Sequence, residues 1–386
     1  MTQSAASKPT VAIPFNRCVP IGRELEYIQQ ALASGVLSGD GQFTKRCHEW
    51  LQREIAVPSA LLTTSCTHAL EMTALLLNLG PGDEVIVPAF TFVSSINAYV
   101  LRGAKPVFAD IRADTLNIDE RQLPSLITPR TKAIVVVHYA GVGCEMDSIM
   151  EVANRAGVTV IEDNAHGLFG RYKGKNLGTF GAMATQSFHE TKNIACGEGG
   201  ALLLNDPSFL ERAEIIREKG TNRSRFFRGL VDKYGWVDIG SSYLPSELLA
   251  AFLLGQFEAS AKIQLRRKTI CEAYASALGD WAHQNGIRLP FVPAHCEQPY
   301  HMFYMLLPDL ERRQAFIAHM RVRGIIAPFH YLPLNASPMG MKSGSKLGDC
   351  PVTEKVSDEL VRLPLFNAMT DAETETVIAA VREFHC

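Results

Sequence analysis

From residue 59 onward, short apolar runs alternate with stretches of helical period, and that alternation leaves the chain few architectures. SALLTTS (59–65) reads as a strand entering a turn, and THALEMTALLLNLG after it sets Leu70, Ala74 and Leu77 at helical spacing. PGDEVIVP, KPVFADI, TKAIVVVHYAG and VTVIEDNAHG read as further strands, with TFVSSINAYVLRG and DSIMEVANRAG as helices among them. Runs that are apolar throughout, rather than alternating with polar residues, suit strands buried on both faces. Helices between them make the strands parallel. The expected fold is therefore α/β, a mostly parallel sheet between helical layers. Ligands of such sheets bind beyond the carboxyl ends of the strands, so the residues just after each apolar run are the ones to weigh.

A chain of 386 residues is too long for one small core and suggests two domains. PSELLAAFLLGQFEASAKIQLRRKTICEAYASAL, from Pro245, reads as one long helix or a kinked pair leading into a smaller C-terminal part. The expected division is a large domain over 1–255, N-terminal segment included, and a small α/β domain over 256–386. The small one holds strand-like HMFYMLL and GIIAPFHY and the helices ERRQAFIAHMRVRG and DAETETVIAAVREF. No basic patch accompanies the formal net charge of -2, so no nucleic-acid partner is expected. The longest apolar runs fall short of the roughly 20 residues of a membrane span. MTQSAASKPTVAIPF lacks the charged-then-apolar order of a secretory signal. Nine cysteines without a CxxC pair read as reduced thiols, not a disulfide frame or a zinc site. A cytoplasmic protein with no membrane contact and no metal is the expectation.

Three stretches at strand ends hold residues able to do chemistry. TTSCTHAL (63–70) puts small hydroxyl residues where a helix begins, either a plain N-cap or a phosphate site built on free N–H groups and the helix dipole. VIEDNAHG (160–167) ends an apolar strand with Asp163, followed by His166. A carboxylate there is costly to desolvate without a cation or hydrogen bonds, unless it is simply solvated or caps the next turn. SFHETKN (187–193) places Lys192 in a loop between strand-like runs, either an ordinary loop lysine or an amine tuned to attack an aldehyde. Taken together, a phosphate cradle, an acid for a pyridinium nitrogen and a lysine for an aldehyde meet the needs of pyridoxal 5'-phosphate. Phe92, in PAFTF after another strand, is a candidate ring to stack on it. CGEGGA (196–201) follows a loop and enters a strand, the wrong order for a dinucleotide or P-loop fingerprint. Cys66 at a helix start could be an activated thiol, yet no histidine can be assigned as its base.

At these residues the chain resembles the DegT/StrS family of nucleotide-sugar aminotransferases. The resemblance runs from IPFNRCVPIGRELEYIQQAL to VRLPLF and takes in SGDGQFTKRC, LRGAKPVFAD, HYAGVGCEMD, SFHETKN, REKGTNRSRFFRG and VDIGSSYL. It implies fold type I, the architecture of aspartate aminotransferase, and a pyridoxal-phosphate enzyme. It implies a homodimer with sites at the subunit interface, a dTDP-linked ketosugar substrate and glutamate as donor. By resemblance Lys192 would link to the cofactor aldehyde and shuttle protons, Asp163 would pair with the ring nitrogen, and His166 would lie near the phenolic oxygen. Ser187, Cys66 and Thr67 would hold the phosphate and Phe92 would stack on the ring. Many members have GYNY where this chain has GSSY (240–243), so Ser242 stands where an asparagine reaches the partner's phosphate. Arg223 in GTNRS and His330 and Tyr331 in FHYLP would contact substrate. A sugar dehydratase of this fold has histidine in place of the lysine, so Lys192 argues against it. Lys192, Asp163 and Ser187 together argue against a non-catalytic scaffold.

Overall fold

The structure is a computed structural model and describes residues 12–385; the serine- and alanine-containing start of the chain lies outside the described residues. In chain order the strands are β1 (Ser59–Thr63), β2 (Glu84–Pro88), β3 (Lys105–Ala109), β4 (Thr131–Val137), β5 (Thr159–Asp163) and β6 (Arg171–Tyr172). They continue with β7 (Lys175–Asn176), β8 (Met183–Ser187), β9 (Gly200–Leu204), β10 (Cys296–Glu297), β11 (Phe303–Leu306) and β12 (Leu360–Leu363). Seven of them form one sheet in the order β1-β9-β8-β5-β4-β2-β3. Neighbours from β8 through to β3 are parallel, while β9 runs antiparallel to both β8 and β1. The sheet is thus mostly parallel with one reversed strand near its edge.

Residues of each strand serve two cores in turn. Val85 and Val87 of β2 face the core covered by the helix Cys66–Leu76, and Ile86 between them faces the core covered by the helix Met146–Ala156. Burial on both faces is why these strands read as unbroken apolar runs. A carboxylate is admitted to that interior. Glu162 of β5 is fully buried; one carboxylate oxygen accepts the N–H groups of Phe180 and Gly181, and the other accepts Gly178 N–H and His138 Nε2 at 2.9 Å. Four donors make its burial tolerable.

The stretch from Pro245 is a pair of helices, Glu247–Glu258 and Ser260–Gln284, meeting at Ala259. The first packs with the large sheet's helices, and the second opens a separate core with β11, β12 and the helices Leu310–Val322 and Asp371–Arg382. Ile13 pairs with Ile325 and joins that C-terminal core, so the N-terminal segment crosses over to it. GIIAPFHY does not form the expected strand: Ile325 makes a single bridge, and the rest is irregular. Pro328 has no N–H to give to a ladder, and it instead accepts from Arg362 N–H.

At the carboxyl edge of the sheet three segments share one row, Thr63 beside Gly200 and Gly200 beside Ser187. Asp163 ends β5 opposite Thr185, one step further in.

Candidate active site

The row just described opens into a cavity of about 500 Å³. Cys66, Thr67, Phe92, Asp163, His166, Ser187, Lys192, His330 and Tyr331 all line it. Strand ends deliver the first seven, and the C-terminal unit supplies the last two. Arg223 and Ser242 are not brought there within one chain. Arg223 lies on the surface helix Arg223–Phe227, paired with Glu218 and set over the Phe227 ring, and Ser242 is exposed and bridged to Glu218.

The helix Cys66–Leu76 begins with Ser65, whose hydroxyl accepts the His68 N–H at 3.1 Å. The first-turn N–H groups of Cys66 and Thr67 lie outside the helix ladder, at the positive end of the dipole. The Thr67 and Ser94 hydroxyls are 2.8 Å apart beside them, and Ser187 faces the same end. A Cβ at residue 200 would stand 2.4 Å from Cys66 N, so glycine is needed for the helix start to sit against β9. This explains the glycine-rich CGEGGA better than any loop signature. The Cys66 thiol itself is not activated: burial, and then Asp163, push it well above the ordinary thiol range, and it donates to Thr185 Oγ1 at 3.4 Å.

Asp163 is buried at the end of β5, where Oδ2 accepts the Ser95 hydroxyl at 2.6 Å and Oδ1 accepts Ala165 N–H at 3.2 Å. The Thr91 hydroxyl lies 2.7 Å behind Ser95. Lys192 is partly buried on the opposite loop, and burial in the cavity pushes its amine down to about 8, with Cys66 and Asp163 opposing and Arg362 adding to the fall. An amine so placed is a usable nucleophile near neutral pH.

The third wall is aromatic. The His166 ring stacks on His301 at 4.3 Å, its Nε2 meets the Tyr331 hydroxyl at 3.3 Å, and His330 stacks on Tyr331 at 3.5 Å and reaches the Tyr139 hydroxyl through Nδ1 at 2.8 Å. Burial holds His166, His301 and His330 well below the usual histidine range, so all three are neutral at pH 7. His166 Nδ1 is buried with no partner among the described residues, a donor or acceptor left for a bound group. Phe92 is 55% exposed at the mouth, its ring 6.3 Å from Tyr331.

Residues that sequence reasoning did not single out complete the cavity. Ser95 carries the second hydrogen bond to Asp163 and sits inside a helix with no distinguishing pattern. His301 and Arg362 arrive from the C-terminal unit. Arg362 sends one nitrogen to Phe329 O, while its Nε has no hydrogen-bond partner among the described residues. Only VRLPLF in the sequence hinted at Arg362, and nothing in that stretch says where its side chain points.

A helix start rich in donors, a buried acid and a lowered lysine at the ends of a mostly parallel sheet suit the phosphate, ring nitrogen and aldehyde of pyridoxal phosphate. The fold is that of the fold type I pyridoxal-phosphate enzymes. The sequence profile of the DegT/DnrJ/EryC1/StrS aminotransferase family matches residues 21–382, and the chain belongs to that family. Its members depend on pyridoxal phosphate. The chain is 32% identical to the spore coat polysaccharide biosynthesis protein SpsC of Bacillus subtilis over 96% of each protein. Among solved structures it is similar to the aminotransferase TlmJ of Streptoalloteichus hindustanus, with TM-score 0.86 and 30% identity over 97% of each chain. It is also similar to the putative sugar aminotransferase Spr1654 of Streptococcus pneumoniae in its PMP form, with TM-score 0.89 and 26% identity over 96% of this chain and 98% of that one. No helix among the described residues is long and apolar enough to cross a membrane, and no group of His, Cys, Asp or Glu among them could hold a metal ion.

Proposed function

We propose that the protein moves an amino group from glutamate to C4 of dTDP-4-keto-6-deoxy-D-glucose, giving dTDP-4-amino-4,6-dideoxy-D-galactose, a precursor of surface polysaccharides such as lipopolysaccharide or an enterobacterial common antigen. The observation that carries the reading is the convergence of Asp163, Lys192 and the helix start at Cys66 on one cavity. Pyridoxal phosphate supplies an aldehyde that exchanges amino groups and a ring that takes up the electrons of a carbanion. The N–H groups of Cys66 and Thr67, with the Thr67 and Ser187 hydroxyls, would bind its phosphate. Asp163, fixed by Ser95, would keep the ring nitrogen protonated. Phe92 and His166 would hold the cofactor's ring, His166 with the unpartnered Nδ1 it has in the cavity. Lys192 would be the amine that holds the cofactor aldehyde, and its Nζ, once free, would be the base and acid placed to move a proton in the cavity. Arg362 lines the cavity with a free Nε, a cation able to meet a carboxylate of the donor.

The identity of the sugar rests on resemblance. GTNRSRFFRG, which contains Arg223, and FHYLP, which contains His330 and Tyr331, are similar to the galacto-producing transaminase. The homodimer is supported by the exposed apolar run Phe227, Leu230, Tyr234, Trp236 and Val237, with Trp236 81% exposed. GSSY (240–243) follows that run directly, and Ser242 there is free to reach a partner's site. The reaction is cytoplasmic, where nucleotide sugars are made. The test is to supply dTDP-4-keto-6-deoxyglucose and glutamate and to read C4 by NMR. Coupling constants of an axial amine support the assignment. An equatorial amine, or turnover of a 3-ketosugar alone, refutes the substrate while leaving the aminotransferase reading intact.

A further inference from the structure

Asn193 follows Lys192 directly and is bound from four directions by the C-terminal part of the chain. Its Nδ2 donates to Pro299 O at 2.7 Å and to Gln264 Oε1 at 3.1 Å. With both amide hydrogens used, Oδ1 accepts from His301 Nδ1 at 2.9 Å, which places the proton of that imidazole on Nδ1. The Asn193 carbonyl accepts Asn367 Nδ2 at 3.0 Å.

Behind these partners lies Arg267, 1% exposed. Its guanidinium donates to Tyr300 O, His301 O and Asn367 Oδ1, so one rigid fork orients two of the four residues that grip Asn193, His301 and Asn367. Among the described residues no carboxylate acts on it, and burial pulls it down to about 10. Tyr300 sits at φ 53, a left-handed conformation that a tyrosine adopts only under constraint, and the fork holds it there. A buried charge without a counter-ion costs stability, and apolar packing would join the two units more cheaply. What the guanidinium adds is direction. His301 also stacks on His166, so the same assembly touches two sides of the cavity.

We propose that Asn193 is a positioning residue, held by His301 and Asn367 on the Arg267 fork, that sets how deeply Lys192 enters the cavity and ties its loop to the seating of the C-terminal unit. The inference rests on Lys192 as the amine that meets the cofactor. The groups that face this amine are Cys66 from the helix start, Asp163 and His166 from the end of β5, and His301, His330, Tyr331 and Arg362 from the C-terminal unit.

The test strips the protein of cofactor, adds pyridoxal phosphate across a pH series, traps the adduct with borohydride and counts it at Lys192 by peptide mass spectrometry. In the wild type the midpoint should fall near pH 8. Asn193→Ala and Asn367→Ala let the amine reach water, so the midpoint should rise by at least about one pH unit while circular dichroism stays unchanged. Gln264→Ala removes one hydrogen bond and should shift it less, in the same direction; if a harsher variant does not fold, this one and Asn367→Ala decide. A midpoint unmoved in the folded variants, even with a lower melting temperature, overturns the inference. Absence of any wild-type adduct at Lys192 fails the functional reading itself, which is a separate result.

Discussion

Replacing Glu162 by Gln tests how a fully buried carboxylate of the sheet supports the site beside it. The substitution keeps size and shape but turns one acceptor oxygen into an amide nitrogen. Whichever way the amide lies, that nitrogen faces two donors: Phe180 and Gly181 N–H, or Gly178 N–H and His138 Nε2. His138 cannot yield by changing tautomer, because its Nδ1 already accepts Cys144 N–H at 3.2 Å. Two charge-assisted hydrogen bonds are therefore lost and their donors stranded, a cost of about 3–5 kcal/mol. Burial alone would raise the Glu162 carboxyl, but the His138 hydrogen bond and the backbone donors prevail and hold it below the usual range. A carboxyl lowered on folding stabilises the fold above its unfolded value and loses that effect as pH falls through its folded one. Urea unfolding of wild type and variant should thus differ by the full amount at pH 7, and the gap should close in acid. A difference under about 1 kcal/mol at pH 7, or a gap independent of pH, would refute the reasoning.

Lys192→Ala should abolish amino transfer and the absorbance of the cofactor–lysine link with circular dichroism unchanged; retained activity ends the aminotransferase reading. Asp163→Asn keeps the Ser95 contact geometry but removes the charge, and the rate should fall by at least roughly a hundredfold; a wild-type rate makes Asp163 structural. With the amine near 8 instead of 10.5, about one lysine in ten is neutral at pH 7, so cofactor capture should run roughly 300-fold faster than for an ordinary lysine and level off above pH 8. A rate still climbing through pH 10 contradicts the lowered amine. Mixing Lys192→Ala subunits with subunits altered at 240–243 should restore some activity, and a fully active monomer in sedimentation speaks against shared sites.

The strands β2 to β5 were legible because burial on both faces demands unbroken apolar runs, and Lys192 and Asp163 were legible because a charge beside such a run needs a reason. Strand direction was not. GALLL is apolar whichever way it runs, so nothing in it signalled that β9 is reversed. GIIAPFHY looked like a strand by composition, yet Pro328 withholds a donor that a ladder needs. His301, Arg362 and Asn193 stayed hidden for a different reason. Their roles depend on how the C-terminal unit docks on the sheet, and that contact spans more than a hundred residues of chain.

The row that joins Thr63, Gly200 and Ser187 also sets an order of events during synthesis. β1 is made early, but its only partner in the sheet is β9, the last of the seven strands to be made. Until residue 204 has left the ribosome, Ala60 to Leu62 have no ladder to join, and the helix start at Cys66 has no Gly200 to lean on. A nascent chain halted before that point would hold five parallel strands and an apolar segment awaiting its place, a natural client for a chaperone. Capture of pyridoxal phosphate by a growing chain would then mark the moment at which the sheet closes.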